Sequence, residues 1–215
     1  MSSRRKSLPP RDQATTTFSG ALLRLCESTG ALAAALVDAE GETVDYAGYL
    51  DPFALRVMAA EWRIVLDVIR SVPRPGFQDA HEFSVRAKRK SFALIALSDG
   101  YALVLELPLH SLLFSRRALG EAAREIEQEA GLSPSRRSGA PEERWSKVEV
   151  KTVPGDPRRP EAVWIDGAWC GVTVLGRYVH RRRSRREDGY RARLENGLEI
   201  ALIREPLGLW FAGGL

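Results

Sequence analysis

The apolar positions between Asp51 and Val72 predict one long helix with a wide apolar surface. Asp51 is suited to cap the free N–H groups at the start, and Pro52 fits the first helical position. The prolines from Pro73 onward end the helix. Two apolar rows follow helical spacing along it. The first row comprises Phe53, Val57, Ala60, Ile64 and Val68. The second row comprises Leu55, Met58, Trp62, Val65 and Ile69.

Together the two rows cover roughly 240° of the helix circumference, whereas a helix lying on one sheet needs an apolar stripe of about 100°. One interpretation is a large monomer core that covers both rows. The interpretation we favour is a surface of self-association. The residues expected at the dimer interface are those of the second row: Leu55, Met58, Trp62, Val65 and Ile69. If the sheet covers the second row, the first row is expected at the interface instead.

Glu61 is the one charge that falls inside this wide apolar arc. At a dimer interface Glu61 needs a cation from the other chain, and Arg56 and Arg63 are the candidates. Without such a cation, burial of the carboxylate would cost several kcal/mol.

The segments around this helix predict an α+β fold. A helix is expected over 15–28, and the apolar runs 31–38 and 42–50 form a hairpin around a turn at residues 39–41. The later segments are a strand within 77–90, strands at 92–97 and 101–107 around an Asp-Gly turn, and a helix over 112–130 whose outer face includes Arg117 and Glu127. This order predicts one five-stranded antiparallel sheet with three helices.

The remaining segments predict a two-domain organisation. Residues 1–14 are expected to be a disordered basic arm, and residues 15–132 the α+β domain. Residues 133–147 read as a linker because Ser, Pro, Gly and charges dominate them. Residues 148–215 predict a small β-rich domain, either a sheet or a partly closed barrel. Its core is expected to contain three tryptophans: Trp164, Trp169 and Trp210.

Composition places the chain among ordinary globular proteins. It has 215 residues, of which 44% are hydrophobic, and no apolar run approaches the roughly 18 to 20 residues that cross a bilayer. The basic N-terminus has no apolar segment after it and does not read as a secretory signal. Cys26 and Cys170 lie in apolar surroundings and fit buried thiols in a reducing compartment. We therefore expect a cytoplasmic protein without a membrane span.

The sequence lacks the common catalytic signatures. It contains no GxxxxGK[ST] phosphate loop, no GxGxxG after a strand, no GxSxG and no HExxH. His81, His110 and His180 are scattered, and the two cysteines lack the spacing of zinc ligands. We expect no enzymatic activity, no metal and no cofactor. A chain with a good core and no catalytic site is expected to be bound by a partner.

A run of arginines is the one strongly charged feature. The chain carries a formal net charge of +4, and residues 133–215 hold its basic part, with 16 Lys and Arg against 11 Asp and Glu. The run lies between two predicted strands, so an exposed loop is expected, with these arginines: Arg181, Arg182, Arg183, Arg185 and Arg186. This loop is either a solvated surface that keeps the protein soluble or an anion-binding patch for nucleic acid, an acidic protein surface, or a phosphorylated or lipid head group.

Three pieces of the first domain resemble the Roadblock/LC7 family, a branch of the longin-like and profilin-like α+β folds. They are the hairpin ALVDAEGETVDYAG, the helix that follows it, and LSDGYALVLELP followed by a helix ending in EAGL. The resemblance covers roughly residues 15–132.

The resemblance implies an interaction module without catalytic residues. Such proteins form homodimers or heterodimers in which the central helix and the edge strand before the last hairpin meet their counterparts. They regulate or scaffold small Ras-like GTPases, in bacteria often in motility and polarity systems. We therefore expect a dimeric regulatory or scaffold protein that binds such a GTPase or its complex. The alternative is a nucleic-acid- or anion-binding module that uses the arginine loop over 181–186, with the first domain as dimeriser.

Overall fold

A computed structural model describes residues 11–109, 114–133, 145–182, 185–205 and 208–214. At residues 180–182, 185–186 and 214 it describes the backbone alone. The chain divides into two compact units, Met1–Arg137 and Ser138–Leu215.

The first unit is an α+β domain, as the sequence predicted. Its elements in chain order are α1 (Thr17–Thr29), β1 (Ala33–Val37), β2 (Thr43–Gly48), α2 (Pro52–Ser71), β3 (Glu82–Arg86), β4 (Ser91–Ala96), β5 (Ala102–Leu107) and α3 (Arg116–Glu129). The five strands form one sheet in the order β2-β1-β5-β4-β3, and every neighbouring pair is antiparallel. The predicted architecture of three helices and a five-stranded antiparallel sheet is confirmed.

Helices cover both faces of this sheet. Residues of α1 and α3 share one buried cluster with alternate residues of β1 and β5, and α2 shares a second cluster with the other residues of these strands. β1 and β5 are therefore buried on both faces, which explains why their sequences are continuous apolar runs rather than alternating ones. The domain has three layers, with two helices on one side of the sheet and α2 alone on the other.

The start of α2 follows the predicted capping. The carboxylate of Asp51 accepts a hydrogen bond from the backbone N–H of Ala54 at 3.0 Å, and Pro52 opens the helix. The helix ends at Ser71, two residues before Pro73.

The last helix differs from its prediction in position and in its buried face. α3 begins at Arg116 with Ser115 as its cap, and residues 110–113 lie outside the described part of the chain. Arg117 and Glu127, which were expected on the exposed charged face, are buried. A wider arc of α3 is covered than the sequence pattern indicated, because α3 contacts α1 as well as the sheet.

The described part of the second unit is built of antiparallel strands. They are β6 (Ser146–Val148), β7 (Val150–Thr152), β8 (Pro160–Ile165), β9 (Ala168–Arg182), β10 (Arg185–Leu194), β11 (Glu199–Arg204) and β12 (Trp210–Gly214), in the sheet order β6-β12-β11-β10-β9-β8-β7. Only Glu149 separates the two strands at the edges of this order, and its carbonyl accepts a hydrogen bond from the N–H of Trp164 at 2.9 Å. One continuous segment thus forms both edges and closes the sheet into a barrel. The barrel begins inside the segment 133–147 that was predicted as a linker; residues 134–144 lie outside the described part.

The tryptophans of the barrel do not all lie in its core. Trp210 is buried and packs against Tyr190, with ring centroids 5.6 Å apart. Trp164 and Trp169 remain 41% and 38% exposed and are cross-strand partners on the outer face. The prediction of three core tryptophans is wrong for these two. The strand alternation explains the difference, because the fully buried Val163 takes the inward position next to Trp164.

The arginine run lies at the end of a hairpin rather than in an open loop. β9 continues to Arg182 and β10 begins at Arg185, with Arg182 paired to Arg185 and Arg181 to Arg186. Residues 183–184 lie outside the described part. These strand ends were not predicted because strands are recognised in a sequence by apolar residues at every second position. Here charged residues occupy successive positions, so that alternation is absent.

The N-terminal segment is not wholly the disordered arm predicted for residues 1–14. Residues 11–13 make hydrogen bonds with β2; the side-chain amide of Gln13, for example, donates to the carbonyl of Val44 at 3.2 Å. Residues 1–10 lie outside the described part of the chain.

A buried carboxylate connects this segment to α1. Asp45 of β2 accepts hydrogen bonds from the hydroxyls of Ser19, at 2.6 Å, and Thr16, and it forms an ion pair with Arg11. Burial alone would raise the pKa of Asp45, but the hydrogen bonds to its charged form outweigh burial and hold the pKa below its ordinary value. The charged form of Asp45 therefore stabilises the docking of α1 and of the preceding segment on β2.

We expect Asp45→Asn to destabilise the first unit by about 2 kcal/mol at pH 7, because the ion pair is lost and the charged hydrogen-bond acceptor becomes neutral. A lowered folded-state pKa stabilises above the ordinary value of 3.8, and this contribution disappears as pH falls through the folded-state pKa. The difference from the parent protein should therefore be large at pH 7 and shrink below pH 3.8. Hydrogen–deuterium exchange of the peptide Thr17–Thr29 in urea measures it.

The control for this variant is Asp99→Asn, which neutralises an exposed carboxylate at a left-handed position that Asn accepts. Equal effects of the two substitutions at pH 7 would contradict the role assigned to Asp45.

Candidate functional site

The outer face of α2 carries four of the seven large apolar side chains that are exposed in the described part of the first unit. We call it the outer row: Phe53, Val57, Ala60, Ile64 and Val68. Phe53, Ile64 and Val68 are 69%, 62% and 60% exposed. Contiguous exposed apolar side chains of this size mark surfaces that meet another molecule.

The opposite face of α2 packs on the sheet. Leu55, Met58 and Leu66 are buried there. Trp62 is partly buried between two aromatic rings of β3 and β4, and its centroid lies 5.8 Å from that of Phe83 and 4.7 Å from that of Phe92. These aromatic contacts extend the cover of α2 toward the β3 edge of the sheet.

The residues first expected at a dimer interface therefore do not form the exposed surface. Leu55, Met58 and Trp62 contact the chain's own sheet, and Val65 and Ile69 lie half-buried at the border of that face. The other alternative, in which the sheet covers this row and leaves the first row free, matches the exposure.

Two residues that neither predicted row included show why the sheet covers this face. Ala59 and Leu66 are fully buried, and they fill the gaps between Leu55, Met58 and Trp62. They widen the second row into a continuous stripe with a small residue at its centre, which allows close approach of the helix to the sheet. This continuous stripe is visible in the sequence, and it could have predicted which of the two rows packs on the sheet.

The charged residues near the outer row differ in their exposure and in the ion pairs that they form. Glu61 is exposed and lies at one border. Arg56, at the other border, forms an ion pair with Asp12 at 2.7 Å. Arg63 is buried, forms an ion pair with Asp67 and donates to the carbonyl of Asp38 at 3.3 Å. Arg63 is therefore committed to its own chain and is not a free cation for Glu61.

The strand β3 adds a second feature to this side of the unit. Within the described residues β3 pairs with β4 alone, so it is an edge strand. Phe83 and Val85 alternate with Ser84, and Phe83 packs against Trp62 of α2. The backbone groups on the free side of an edge strand are available to another chain. The outer row and this edge belong to elements that pack against each other.

Three further findings concern metal binding, a thiol and the membrane. They hold no group of three or more His, Cys, Asp or Glu side chains placed to bind a metal. Burial, assisted by the nearby charge of Glu27, raises the pKa of Cys26 to about 12, so this thiol stays protonated at neutral pH. None of the described helices is both long and apolar enough to cross a membrane.

No family model matches this sequence, and no curated protein matches it. The chain is similar to several solved structures. MglB from Myxococcus xanthus is 16% identical, with 55% of this chain and 98% of that chain covered and a TM-score of 0.45. A Roadblock/LC7 domain from Streptomyces avermitilis is 16% identical, with 53% of this chain and 93% of that chain covered and a TM-score of 0.43. The gliding protein MglB from Thermus thermophilus is 17% identical, with 58% of this chain and 98% of that chain covered and a TM-score of 0.42.

The first unit has the fold expected from the resemblance of its sequence to the Roadblock/LC7 family. Its three helices and its five-stranded antiparallel sheet are those that the resemblance implies. The second unit adds seven strands to this domain.

We expect the two faces of α2 to respond differently to truncation. Leu66→Ala should destabilise the first unit by about 2 to 5 kcal/mol because it leaves a cavity under the helix. Ile64→Ala should change the free energy of unfolding by about 0.5 kcal/mol or less, because Ile64 contacts solvent in the single chain. Urea unfolding followed by Trp62 fluorescence in a variant without the other tryptophans measures both, at a low protein concentration where association contributes little. A larger loss for Ile64→Ala than for Leu66→Ala would reverse the assignment of the faces.

Proposed function

We propose that this chain is a non-catalytic regulatory or scaffold protein of Roadblock type that acts as a homodimer. The observation that carries the proposal is the outer row, an apolar stripe on the face of α2 that points away from its own sheet. Phe53, Ile64 and Val68 are exposed next to one another on this face, and contiguous exposed apolar side chains mark surfaces that meet another molecule.

The energetics favour a second copy as the partner. Full burial of each large apolar side chain contributes about 1.5 to 3 kcal/mol, so the outer row supplies a substantial part of a dimer's stability. A two-fold interface brings the same surface of each subunit together, so an apolar row meets an apolar row. The resemblance implies that the central helix and the β3 edge meet their counterparts, and both lie on this side of the unit.

The charges at the borders are compatible with such an interface. Glu61 is exposed at the edge of the outer row, where its carboxylate keeps its water when Ile64 and Val68 are covered. Arg63 is already neutralised within its own chain. The proposed dimer therefore needs no buried charge pair between the two chains, and it avoids the desolvation cost of such a pair.

For the partner of the dimer we propose a small Ras-like GTPase or its complex. This proposal rests on the resemblance of the first unit, and the absence of catalytic motifs from the sequence is compatible with a regulatory role. The cytoplasm is the proposed compartment.

We expect the chain to be a dimer in light scattering at high micromolar concentration, and the double variant Ile64→Glu with Val68→Glu to be a monomer. Two like charges on the outer row would face each other in a two-fold interface, and binding would weaken by at least about 100-fold. The matched control is Leu198→Glu, which adds a carboxylate at an exposed apolar position of the second unit. This control should remain a dimer.

A strict monomer for the parent chain at high micromolar concentration would remove the structural basis of the proposal. A dimer that persists in the double variant would place the interface elsewhere on the chain.

We expect the immobilised chain to retain any small Ras-like GTPase that is encoded near its own gene, with an affinity that differs between the GDP-bound and the GTP-analogue-bound forms. Regulators that distinguish the two states must bind them with different free energies. Pull-down of the purified GTPase in each state measures this, with the double variant of the outer row on parallel beads. Failure to retain any such GTPase in either state would reject this partner and leave the dimer as a separate result.

A further inference from the structure

The turn between β3 and β4 carries a dense group of cations. Residues 86–90 join the two strands and contain four basic residues and no acidic one. We call these four the basic turn: Arg86, Lys88, Arg89 and Lys90. All four side chains are exposed. Their formal charge of +4 equals the net charge of all 215 residues, so the remaining charges of the chain balance one another.

Two contacts hold the basic turn in shape. The backbone N–H of Ala87 donates to the carbonyl of Lys90 at 2.9 Å and closes the turn. The ammonium of Lys90 forms an ion pair at 2.9 Å with Glu106 of β5, whose side chain is only 2% exposed. Among the described residues no ion pair involves the other three cations. Three positive charges therefore stand on a closed turn without an acidic partner in this part of the chain.

The sheet register places exposed apolar side chains at the same end of the first unit. β4 begins where β5 ends, because Ser91 pairs with Leu107. Leu109, two residues beyond that pair, is 46% exposed. β2 also ends on this side of the sheet, and Tyr49, which follows it, is 40% exposed. Neighbouring strands are about 4.8 Å apart, so Leu109 follows the strand next to β4 and Tyr49 follows the strand at the far edge.

We propose that this end of the first unit, with the basic turn, Tyr49 and Leu109, binds the surface of an anionic membrane. Lys and Arg close to such a surface are attracted by its negatively charged lipids. Long basic side chains place their charges among the head groups, while apolar side chains beside them enter the boundary with the acyl chains. This interaction concerns the single chain and does not depend on the proposed dimer or its proposed partner.

The apolar side chains beside the turn favour a membrane over the other anionic partners. The phosphates of a nucleic acid would bind the cations but would leave Leu109 in water, and leucine has no ring on which a base could stack. A protein partner would need an acidic patch and an apolar pocket at matching positions. An anionic bilayer offers both negative charge and apolar material over its whole surface.

The test is co-sedimentation of the full-length chain with vesicles of phosphatidylcholine alone or with 30% phosphatidylserine, at 50 mM salt. Each of the three cations without an acidic partner should contribute about five-fold in affinity, so the anionic vesicles should bind about 100-fold more tightly than the neutral ones. At 500 mM salt this preference should fall below about 10-fold, because the Debye length shrinks to about 4 Å.

Two variants separate the charge from the apolar contact. Lys88→Gln with Arg89→Gln should bind the anionic vesicles about 25-fold more weakly at 50 mM salt, because two of the three cations are lost. Leu109→Ser should bind them about five-fold more weakly at both salt concentrations, because the transfer of an apolar side chain out of water does not depend on charge screening.

The matched control is Arg158→Gln with Arg159→Gln, which removes the same charge from an exposed turn of the second unit. This control should bind vesicles as the parent does. The exchange Lys88→Arg with Arg89→Lys conserves the charge and should keep the affinity of the parent. Circular dichroism shows whether each variant keeps the secondary structure of the parent.

Three results would overturn the proposal. They are no binding to the anionic vesicles at 50 mM salt, an equal loss in the glutamine variant of the basic turn and in the control, and unchanged binding of Leu109→Ser. Turn-dependent binding to a DNA duplex of 25 base pairs without binding to vesicles would also reject the membrane and assign the basic turn to nucleic acid. None of these results bears on the light-scattering experiment.

Discussion

The need to cover both faces of one sheet determines the structure of the first unit. Five strands at about 4.8 Å spacing are roughly 20 Å wide, whereas a helix with its side chains is about 10 Å wide. α1 and α3 together match this width on one face. On the other face α2 is alone, and the large ring of Trp62 extends its reach to Phe83 and Phe92. The side of the sheet with one helix is therefore the side on which further apolar surface remains, both on the helix and at the nearby edge.

The sequence predicted the elements that depend on local chemistry. The cap at Asp51, the proline at Pro52 and the Asp-Gly turn before β5 are local signals, and the structure places each element accordingly. The choice between the two faces of α2 is a tertiary question. Both rows have helical spacing and similar hydrophobicity, so only the fit to the sheet, centred on Ala59 and Leu66, distinguishes them.

The second unit was harder to predict for a related reason. In a barrel, alternation decides which residue points inward, and a shift of one position exchanges the two faces. Trp164 was assigned to the core because it is large and apolar, yet Val163 holds the inward position. The ends of β9 and β10 were missed because their pairing is made by backbone hydrogen bonds, which do not depend on an apolar period.

The closure of the barrel at Glu149 also affects how the chain can be divided. A boundary drawn from hydropathy at residue 148 removes most of β6, which pairs with β12, while leaving β7 on β8. The fragment would keep nearly all its apolar core, but the sheet would no longer be closed between β12 and β7. It would then expose the edge of β12 that β6 covers from Trp210 to Ala212 in the complete unit, and such an edge invites pairing between molecules. A few residues of modest hydrophobicity thus separate a closed barrel from a sheet prone to aggregation.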